Sequence, residues 1–456
     1  MKKVKRNVAA LLMLGIVAAS VAGCGASGGS APAGAQATGA GATAGSAADT
    51  GQTTAAQAAA TQAAKEKDPG EPDYENMTME ELYELALKET GTITIYSTTS
   101  SAQTAVKKFQ KSYPDLAKRI ECIDAKTNTV TDRIATENET GNINADVLQV
   151  NDNSGAIYYE LVQYDYLDIF QPTAVKEHVD PSLLQYGMPV YASYSPWYYN
   201  TEQYPDGCPI ESWWDIVQGY DETTGSYIDA SGKNNQYWTI YTKDITSASY
   251  ASLWAQLIVD GDLLAKQYEE QYGKPLEYTY MSRLENTPGI MEFPENNGSV
   301  ELFWRFTQMK MTELDDGDQV VSAVDESLNG PTLGLCSGGK LENVNSGMTI
   351  NWVTGLKPYT AFMTCDYIYA VKGCDNPAGA RLFIYYVLGG EDGQSGCLSA
   401  YDGIGKWSIR DDYAFEKTPY TREEVNLISP DFSEIYAFYP NVQAYWTFWR
   451  SKAPST

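Results

Sequence analysis

The chain has 456 residues, a length that indicates two domains, and its 43% hydrophobic and 20% charged residues are typical of a globular protein. Acidic residues outnumber basic ones by 59 to 32, which gives a net charge of −27. This balance excludes nucleic-acid binding through phosphate neutralisation and predicts repulsion from anionic lipid headgroups.

The N-terminus has the layout of a secretory signal peptide. Lys2, Lys3, Lys5 and Arg6 precede an apolar stretch over 8–22 that is short for a membrane span. Small residues then lead to Cys24, a pattern that resembles the bacterial lipobox, although an ordinary signal peptide with a chance cysteine is the alternative. We therefore predict a signal peptide over 1–24 and lipidation of Cys24. The protein would be exported and anchored by lipid to the outer face of the cell membrane.

The next segment, 25–70, consists mostly of Gly, Ala, Ser, Thr and Gln. It has too few large apolar side chains to offset the entropy of the chain, which predicts a flexible tether.

Cysteine and histidine usage argues against a metal site. His178 is the only histidine, which excludes a His-rich zinc or iron site, and no C-x-x-C spacing occurs. The number of cysteines besides Cys24 is six, which is even. It is compatible with up to three disulfides or with buried thiols, and the sequence leaves both open. No metal or cofactor is predicted. These cysteines are Cys122, Cys208, Cys336, Cys365, Cys374 and Cys397.

The first half of the body alternates helices and strands, which predicts a doubly wound parallel sheet. Ligands bind beyond the carboxyl ends of the strands in such sheets, so the loops after Tyr96 and Val150 are candidate binding loops. The predicted elements are helix 77–89, strand 92–96, a helix ending near 112, strand 119–123, helix 127–138, strand 146–150 and a helix ending near 163.

A crossover near 194–200 leads into a second series of elements. Asn376 and Pro377 suit the start of its last helix, because proline at the first helical turn loses no hydrogen bond. The predicted elements are helix 212–218, strand 237–242, helix 248–261, helix 299–309, strand 330–336, strand 361–371 and helix 378–388. The aromatic stretch 445–450 predicts a further helix that packs onto a lobe.

Six short motifs occur in the order found in the extracellular solute-binding proteins of ABC importers, and the chain resembles the ferric-type branch of that family from about Gly91 to Arg410. Each motif is weak alone, and their order behind a lipobox and a tether is specific. The motifs are Tyr96-Ser97, Ala145-Asp146-Val147, Tyr199-Asn200-Thr201, Thr246-Ser247-Ala248-Ser249, Lys357-Pro358-Tyr359 and Asn376-Pro377 followed by 378–388.

The resemblance implies an α/β fold of two Rossmann-like lobes joined by a hinge, the type II periplasmic-binding-protein fold. It implies a non-enzymatic, monomeric protein that clamps a small-molecule ligand between the lobes and delivers it to a membrane permease. Lobe 1 would comprise 71–195 plus about 363–425, and lobe 2 would comprise 196–362 plus about 426–456.

The candidate ligand-binding residues lie mainly at helix N-termini, where free N–H groups and hydroxyls attract anions. Other candidates follow a strand, lie near the crossover or precede the return strand, where Lys357 would act as a counter-ion. Simple helix capping, hinge packing and surface exposure are the competing interpretations. The candidates are Ser97, Thr98, Thr99, Asn151, Asp152, Trp197, Tyr198, Thr246, Ser247, Ser249, Lys357 and Tyr359.

These positions favour an anionic solute, and phosphorylated solutes are among the candidates. The chain departs from the iron binders, because none of its adjacent tyrosine pairs falls between Ser247 and Pro358. Ferric-iron or polyamine binding in the same fold stays an alternative. A lipid-anchored glycan-active enzyme is a further one, although no nucleophile motif in a suitable context supports it.

Overall fold

The structure is a computed structural model that describes residues 72–221, 226–229, 238–281, 295–328 and 330–451. The predicted signal peptide, Cys24 and the predicted tether lie outside these residues. No helix within the described ranges is both long and apolar enough to cross a membrane.

The strands form two large sheets and two small ones. They are β1 (Ile93–Ser97), β2 (Ile120–Asp124), β3 (Val147–Asp152), β4 (Leu167–Asp168), β5 (Met188–Ser193), β6 (Trp197–Asn200), β7 (Gln218–Asp221), β8 (Ser226–Asp229), β9 (Thr239–Thr242), β10 (Met311–Glu313), β11 (Thr332–Leu335), β12 (Ile350–Trp352), β13 (Ala361–Phe362), β14 (Thr364–Val371), β15 (Lys406–Ser408) and β16 (Leu427–Ile428).

The α-helices are α1 (Met79–Ala86), α2 (Ser100–Ser112), α3 (Thr127–Thr140), α4 (Thr173–Lys176), α5 (Pro181–Leu184), α6 (Ala248–Val259), α7 (Gly261–Tyr272), α8 (Gly298–Thr307), α9 (Gly317–Asp325), α10 (Pro377–Val387), α11 (Arg422–Val425) and α12 (Phe432–Arg450). Short 3₁₀ segments occur at Tyr74–Asn76, Trp213–Asp215, Gly338–Ser346 and Leu398–Ala400, and a π-helix at Tyr158–Val162.

The first lobe is built on a sheet of strand order β15-β5-β14-β3-β1-β2, with β4 beside β14. β1 runs parallel to β2 and β3, as the alternation of helices and strands predicts. β14 returns from the second half of the chain and pairs antiparallel with both β3 and β5. Its insertion completes the sheet, so residues far apart in sequence meet at one sheet end.

The second lobe is built on a sheet of order β10-β9-β11-β6-β12. β9 is parallel to β10 and β11, and β6 is antiparallel to β11 and β12. The chain passes between the sheets at 194–196 and returns between β12 and β14, where β13 pairs with β16. The predicted α/β fold is confirmed, and the residue boundaries of the lobes stay a prediction.

The predicted helix 212–218 is wrong. The structure has a single 3₁₀ turn, Trp213–Asp215, and β7 begins at Gln218. Both tryptophans are fully buried and their indole N–H groups donate in different directions, Trp213 to Tyr359 O and Trp214 to Leu264 O. These two tertiary bonds fix the segment in a tight turn and override its local helical pattern.

The aromatic C-terminal segment forms α12, which contacts both lobes. Near its start, the ring of Phe432 packs on Tyr186 of the first lobe, with 4.7 Å between ring centroids. Near its end, Trp446 packs on Phe306 of α8 at 5.8 Å. The helix contains Pro440 between these two contacts. The prediction that this segment is a helix packed onto a lobe is confirmed.

The six cysteines of the described part are free thiols. Burial raises the pKa of Cys336, Cys365 and Cys397 to about 12, so these thiols stay protonated. Of the two possibilities that the sequence left open, the described residues have free thiols rather than disulfides, and three of the six thiols are buried.

Candidate functional site

A cavity of about 260 Å³ lies between the two large sheets. Its lining comes from the carboxyl ends of β1, β3 and β5, the amino ends of the antiparallel strands β14 and β15, the start of α6 and the segments that connect the lobes. The lining residues are Thr98, Thr99, Asn151, Asn153, Tyr191, Ser193, Tyr194, Ser195, Ser249, Leu253, Ser337, Gly339, Ala361, Phe362, Thr364, Asp366, Ile404, Gly405 and Lys406.

Three neighbouring strands supply a row of polar side chains to the cavity. Ser193 of β5 pairs with Lys406 of β15 on one side and with Thr364 of β14 on the other. The hydroxyls of Ser193 and Thr364 are 3.0 Å apart. Because side chains on a strand alternate between faces, Tyr191 and Asp366 lie on the same face, two residues further into the sheet.

Asp366 is a fully buried carboxylate in the cavity wall. Its Oδ1 accepts a hydrogen bond from Gln149 Nε2 at 2.6 Å, and its Oδ2 accepts one from the Tyr191 hydroxyl at 3.4 Å. Gln149 is held in turn by the Tyr401 hydroxyl, which donates to its Oε1 at 2.9 Å. Burial raises the pKa of Asp366 to about 6, because desolvation disfavours the charged form. The hydrogen bonds from Gln149 and Tyr191 and the positive charge of Lys406 oppose this shift, because they favour the charged form.

Lys406 is a half-buried cation at the same sheet end. Its Nζ lies 4.2 Å from the centroid of the Tyr191 ring and 3.4 Å from Ser101 Oγ. Burial lowers the pKa of Lys406, while the negative charge of Asp366 opposes that shift. Among the described lining residues, Lys406 and Asp366 are the charged ones, so the cavity presents one cation and one anion.

The N-termini of α2 and α6, one from each lobe, reach the cavity. Thr99 caps α2 and accepts a hydrogen bond from Ser101 N at 3.4 Å, and Ser247 is the N-cap residue of α6. Asn153 Nδ2 of the first lobe donates to Ser249 Oγ of the second lobe at 2.9 Å. This hydrogen bond joins the two lobes across the cavity.

Two buried polar atoms of the lining have no hydrogen-bond partner. They are Asn153 Oδ1 and the Tyr194 hydroxyl. Buried polar groups are normally paired, since an unpaired one costs about 1–3 kcal/mol. Residues of the cavity lining therefore carry unused hydrogen-bonding capacity.

Four of the residues predicted from the sequence to bind ligand line this cavity: Thr98, Thr99, Asn151 and Ser249. Thr98 and Thr99 follow β1, Asn151 lies near the end of β3, and Ser249 lies in the first turn of α6. These are the strand ends and helix starts that the sequence pattern indicates. Their contact with a solute stays a prediction.

Two other candidates beside these loops have structural roles. Ser97 is fully buried, and its Oγ accepts a hydrogen bond from Thr99 N at 3.1 Å, which shapes the loop before α2. Asp152 is buried and its carboxylate accepts hydrogen bonds from the N–H groups of Gly155 and Ile157. Neither residue is part of the described cavity lining, because its polar atoms are turned to the backbone.

The aromatic candidates near the crossover and the return strand are core residues. Trp197, Tyr198 and Tyr359 are at most 2% exposed, and none is part of the described lining. The hydroxyl of Tyr198 donates to Ser337 O, and that of Tyr359 donates to Asp260 Oδ2. Packing at the junction of the lobes, the competing interpretation, describes their positions.

The remaining candidates also lie outside the described lining. The hydroxyl of Thr246 donates to Asp244 Oδ1 at 2.6 Å, and Ser247 occupies the N-cap position of α6 without a capping hydrogen bond from its side chain. Lys357 is exposed, and its N–H donates to Glu211 O at 2.9 Å. The predicted counter-ion, Lys357, is therefore not at the cavity. The lysine in the described lining is Lys406.

Sequence reasoning missed Tyr191, Ser193, Thr364, Asp366 and Lys406. Thr364 and Asp366 carry a signal, since polar residues two apart interrupt an otherwise apolar predicted strand. Lys406 carries none, because its position depends on how β15 docks beside β5.

His178 and two carboxylates form a separate cluster at a second cavity, of about 470 Å³. His178 Nδ1 is 2.8 Å from Asp411 Oδ1, and Nε2 is 3.6 Å from Asp412 Oδ2. Asp412 also pairs with buried Arg410 at 2.7 Å. Hydrogen bonding of His178 and the ion pair between Arg410 and Asp412 account for this cluster.

Comparison of the fold with solved structures finds the same architecture in binding proteins of several kinds. Iron-bound HitA from Pseudomonas aeruginosa has a TM-score of 0.54 at 12% identity, covering 78% of this chain and 99% of that one. IdiA (FutA) from Trichodesmium, in complex with iron and citrate, has 0.51 at 14% identity, covering 79% and 99%. AfuA from Actinobacillus pleuropneumoniae, with exogenous fructose-6-phosphate bound, has 0.50 at 14% identity, covering 80% and 100%. At these identities the likeness establishes the fold alone.

A comparison with curated proteins gives no match. The profile of a family described as bacterial extracellular solute-binding proteins matches residues 104–417, which is more than half of the chain. This match and the two-lobed fold confirm the family resemblance read from the sequence motifs. The chain belongs to the bacterial extracellular solute-binding proteins.

Proposed function

We propose that the protein captures a small solute with an anionic group in the cavity between its lobes and delivers it to the membrane permease of an ABC importer. The observation that carries the proposal is the position of Lys406. It is a half-buried cation beside the N-terminus of α2, in a cavity that also receives the start of α6. A cation and two helix N-termini attract negative charge, and burial strengthens that attraction.

Capture would involve hinge closure between the lobes. The Asn153–Ser249 hydrogen bond is a contact that closure would form and opening would break. The segments that would flex are the connections at 194–196 and between β12 and β14. A solute that bridges Lys406 and Ser249 would favour the closed form, because it binds groups from both lobes at once.

Lipidation of Cys24 would keep the exported protein at the outer face of the cell membrane, close to its permease. The protein would act there as a monomer. A covalent lipid anchor with more than one chain gives stable attachment. The net charge of −27 would keep the body away from anionic headgroups.

Ferric iron is the second candidate solute, because two phenols and a carboxylate line the cavity. Oxygen ligands of this kind suit a hard cation. However, burial raises the pKa values of Tyr191 and Tyr194 well above 10, which disfavours the phenolates that would bind the metal. The anionic solute is therefore the better-supported proposal.

The proposal predicts the outcome of a thermal-shift screen of the purified chain. The panel comprises phosphorylated sugars, phosphonates, organic acids, amines, neutral oligosaccharides and ferric iron. A solute that binds only the folded state raises the melting temperature. We expect a rise with at least one compound that carries a phosphate, phosphonate or carboxylate. Rises only with amines, neutral sugars or iron would overturn the anion site, and hydrolysis of an oligosaccharide would favour the enzyme alternative.

A further inference from the structure

We propose that the solute is a zwitterion, whose anionic group binds Lys406 and whose ammonium group binds Asp366. This inference rests on the proposed function, which it narrows from small anionic solutes to those that also carry a positive charge.

The charges of the cavity support the proposal. Lys406 alone would make the site a simple anion receptor, but Asp366 in the same lining adds a buried negative charge. A purely anionic solute would gain from Lys406 and be repelled by Asp366, whose charge is poorly screened because it is buried. A zwitterion would meet an opposite charge at both groups. The site would then bind it more tightly than an anion of the same length.

The hydrogen-bonding capacity of the cavity points the same way. The two carboxylate oxygens of Asp366 each accept one protein hydrogen bond, which leaves lone pairs for further donors. Asn153 Oδ1, a buried acceptor in the same lining, has no partner. An ammonium group supplies three donors. A carboxylate, phosphate or phosphonate without such a group has little to offer these acceptors.

The size of the cavity limits the solute. Sites for drug-sized ligands measure about 300–1,000 Å³, and this cavity measures about 260 Å³. Lys406 Nζ lies over the ring of Tyr191, and the hydroxyl of that tyrosine donates to Asp366. The cation and the carboxylate therefore contact different parts of the same tyrosine, its ring and its hydroxyl group. A small solute with a chain of a few atoms between its two charged groups suits a cavity of this size.

The test uses pairs of compounds that differ only in the ammonium group. Isothermal titration calorimetry of the full chain at pH 7.5 compares 3-aminopropanoate with propanoate, phosphoethanolamine with ethyl phosphate, and 2-aminoethylphosphonate with ethylphosphonate. A hexose phosphate is added as an anion with many neutral hydroxyl donors. We expect at least one zwitterion to bind about tenfold or more tightly than its partner and the hexose phosphate, a difference of about 1.4 kcal/mol.

Variants assign the preference to Asp366. Asp366→Asn keeps the size of the side chain and should reduce the zwitterion-to-anion affinity ratio to about 1, because it weakens binding of the zwitterion and removes the repulsion of the anion. Asp146→Asn is the matched control, because Asp146 is also a buried carboxylate beside β3 but lies at the opposite end of the sheet. Its ratio should equal that of the wild type. Asn153→Asp should raise the ratio, and it keeps the proposal testable if Asp366→Asn does not fold.

Each outcome separates this inference from the proposed function. Anions that bind as well as their zwitterionic partners would overturn the zwitterion and leave the anion site intact. An unchanged ratio in Asp366→Asn would overturn the role of Asp366. Binding by none of the three zwitterions contradicts the proposal. Binding only by amines or neutral sugars in the wider screen overturns both proposals together.

Discussion

Replacement of Lys406 by methionine is expected to weaken solute binding by about 100-fold or more. Truncating one partner of a buried, hydrogen-bonded charge pair typically costs about 2–5 kcal/mol of binding free energy. Methionine keeps the length and the apolar stem of lysine, so the packing on Tyr191 should survive. The loss would then report the missing positive charge. Calorimetric titration with the best compound of the solute screen measures it.

Lys417→Met is the matched control for this variant. Lys417 is exposed, its Nζ donates to Asp402 O at 2.9 Å, and it is not part of the described cavity lining. The Lys417→Met substitution removes the same charge as Lys406→Met, from the same region of the first lobe. An equal loss of affinity in both variants would mean that overall charge governs binding, and would contradict a specific role for Lys406.

The second large effect is expected in the pH dependence of stability. Burial raises the pKa of Asp366 from its ordinary 3.8 to about 6. A carboxyl group with a raised pKa binds its proton more tightly in the folded state than in the unfolded state. Its contribution therefore destabilises the fold as the pH rises from about 4 to about 6, by about 1.4 kcal/mol per pKa unit and about 3 kcal/mol in all.

Asp366→Asn should remove this contribution. The free energy of unfolding of the solute-free variant, relative to wild type, should increase by up to about 3 kcal/mol between pH 4 and pH 7.5. Urea denaturation at both pH values measures the difference, and taking it against wild type cancels the other titrating groups. The variant would thus lose less stability than wild type as the pH rises, while losing its preference for a zwitterion. If the free energy of unfolding of the variant differs from that of wild type by the same amount at both pH values, the Asp366 carboxyl is not desolvated as described.

The local elements of the first lobe could be predicted because their sequence signals are local. β1, β2 and β3 are apolar strands separated by capped helices, and the structure places each within two residues of its predicted bounds. The prediction of a helix over 212–218 was wrong because two buried tryptophans, Trp213 and Trp214, donate hydrogen bonds to carbonyl groups that are remote in sequence. A periodicity argument has no access to such contacts.

Some residues of the candidate site could be predicted from local sequence signals, and others reach the cavity only through tertiary packing. Thr98, Thr99 and Ser249 follow from the rule that ligands lie near strand ends and helix N-termini. Asp366 and Lys406 reach the cavity because β14 inserts between β3 and β5, and β15 then pairs with β5. The register of β15 on β5 decides whether Lys406 faces the cavity, and a register depends on tertiary packing.

The net charge of the chain gave no guidance to the chemistry of the cavity. The chain has a net charge of −27, yet the described lining of its cavity contains one lysine and one carboxylate. Overall charge governs solubility and long-range association, whereas recognition depends on the few groups that a cavity desolvates. Under the zwitterion proposal, the choice of solute depends on the pair of Lys406 and Asp366.

The most direct test of solute capture between the lobes is hydrogen–deuterium exchange of the full chain with and without the best solute of the screen. The account predicts slower exchange in 98–101 of the first lobe and in 249–253 of the second lobe. At a solute concentration of about 100 times Kd, the slowing should reach up to about 100-fold. Slower exchange in one lobe alone, or around the second cavity at 176–181 and 409–411, would contradict a site between the lobes.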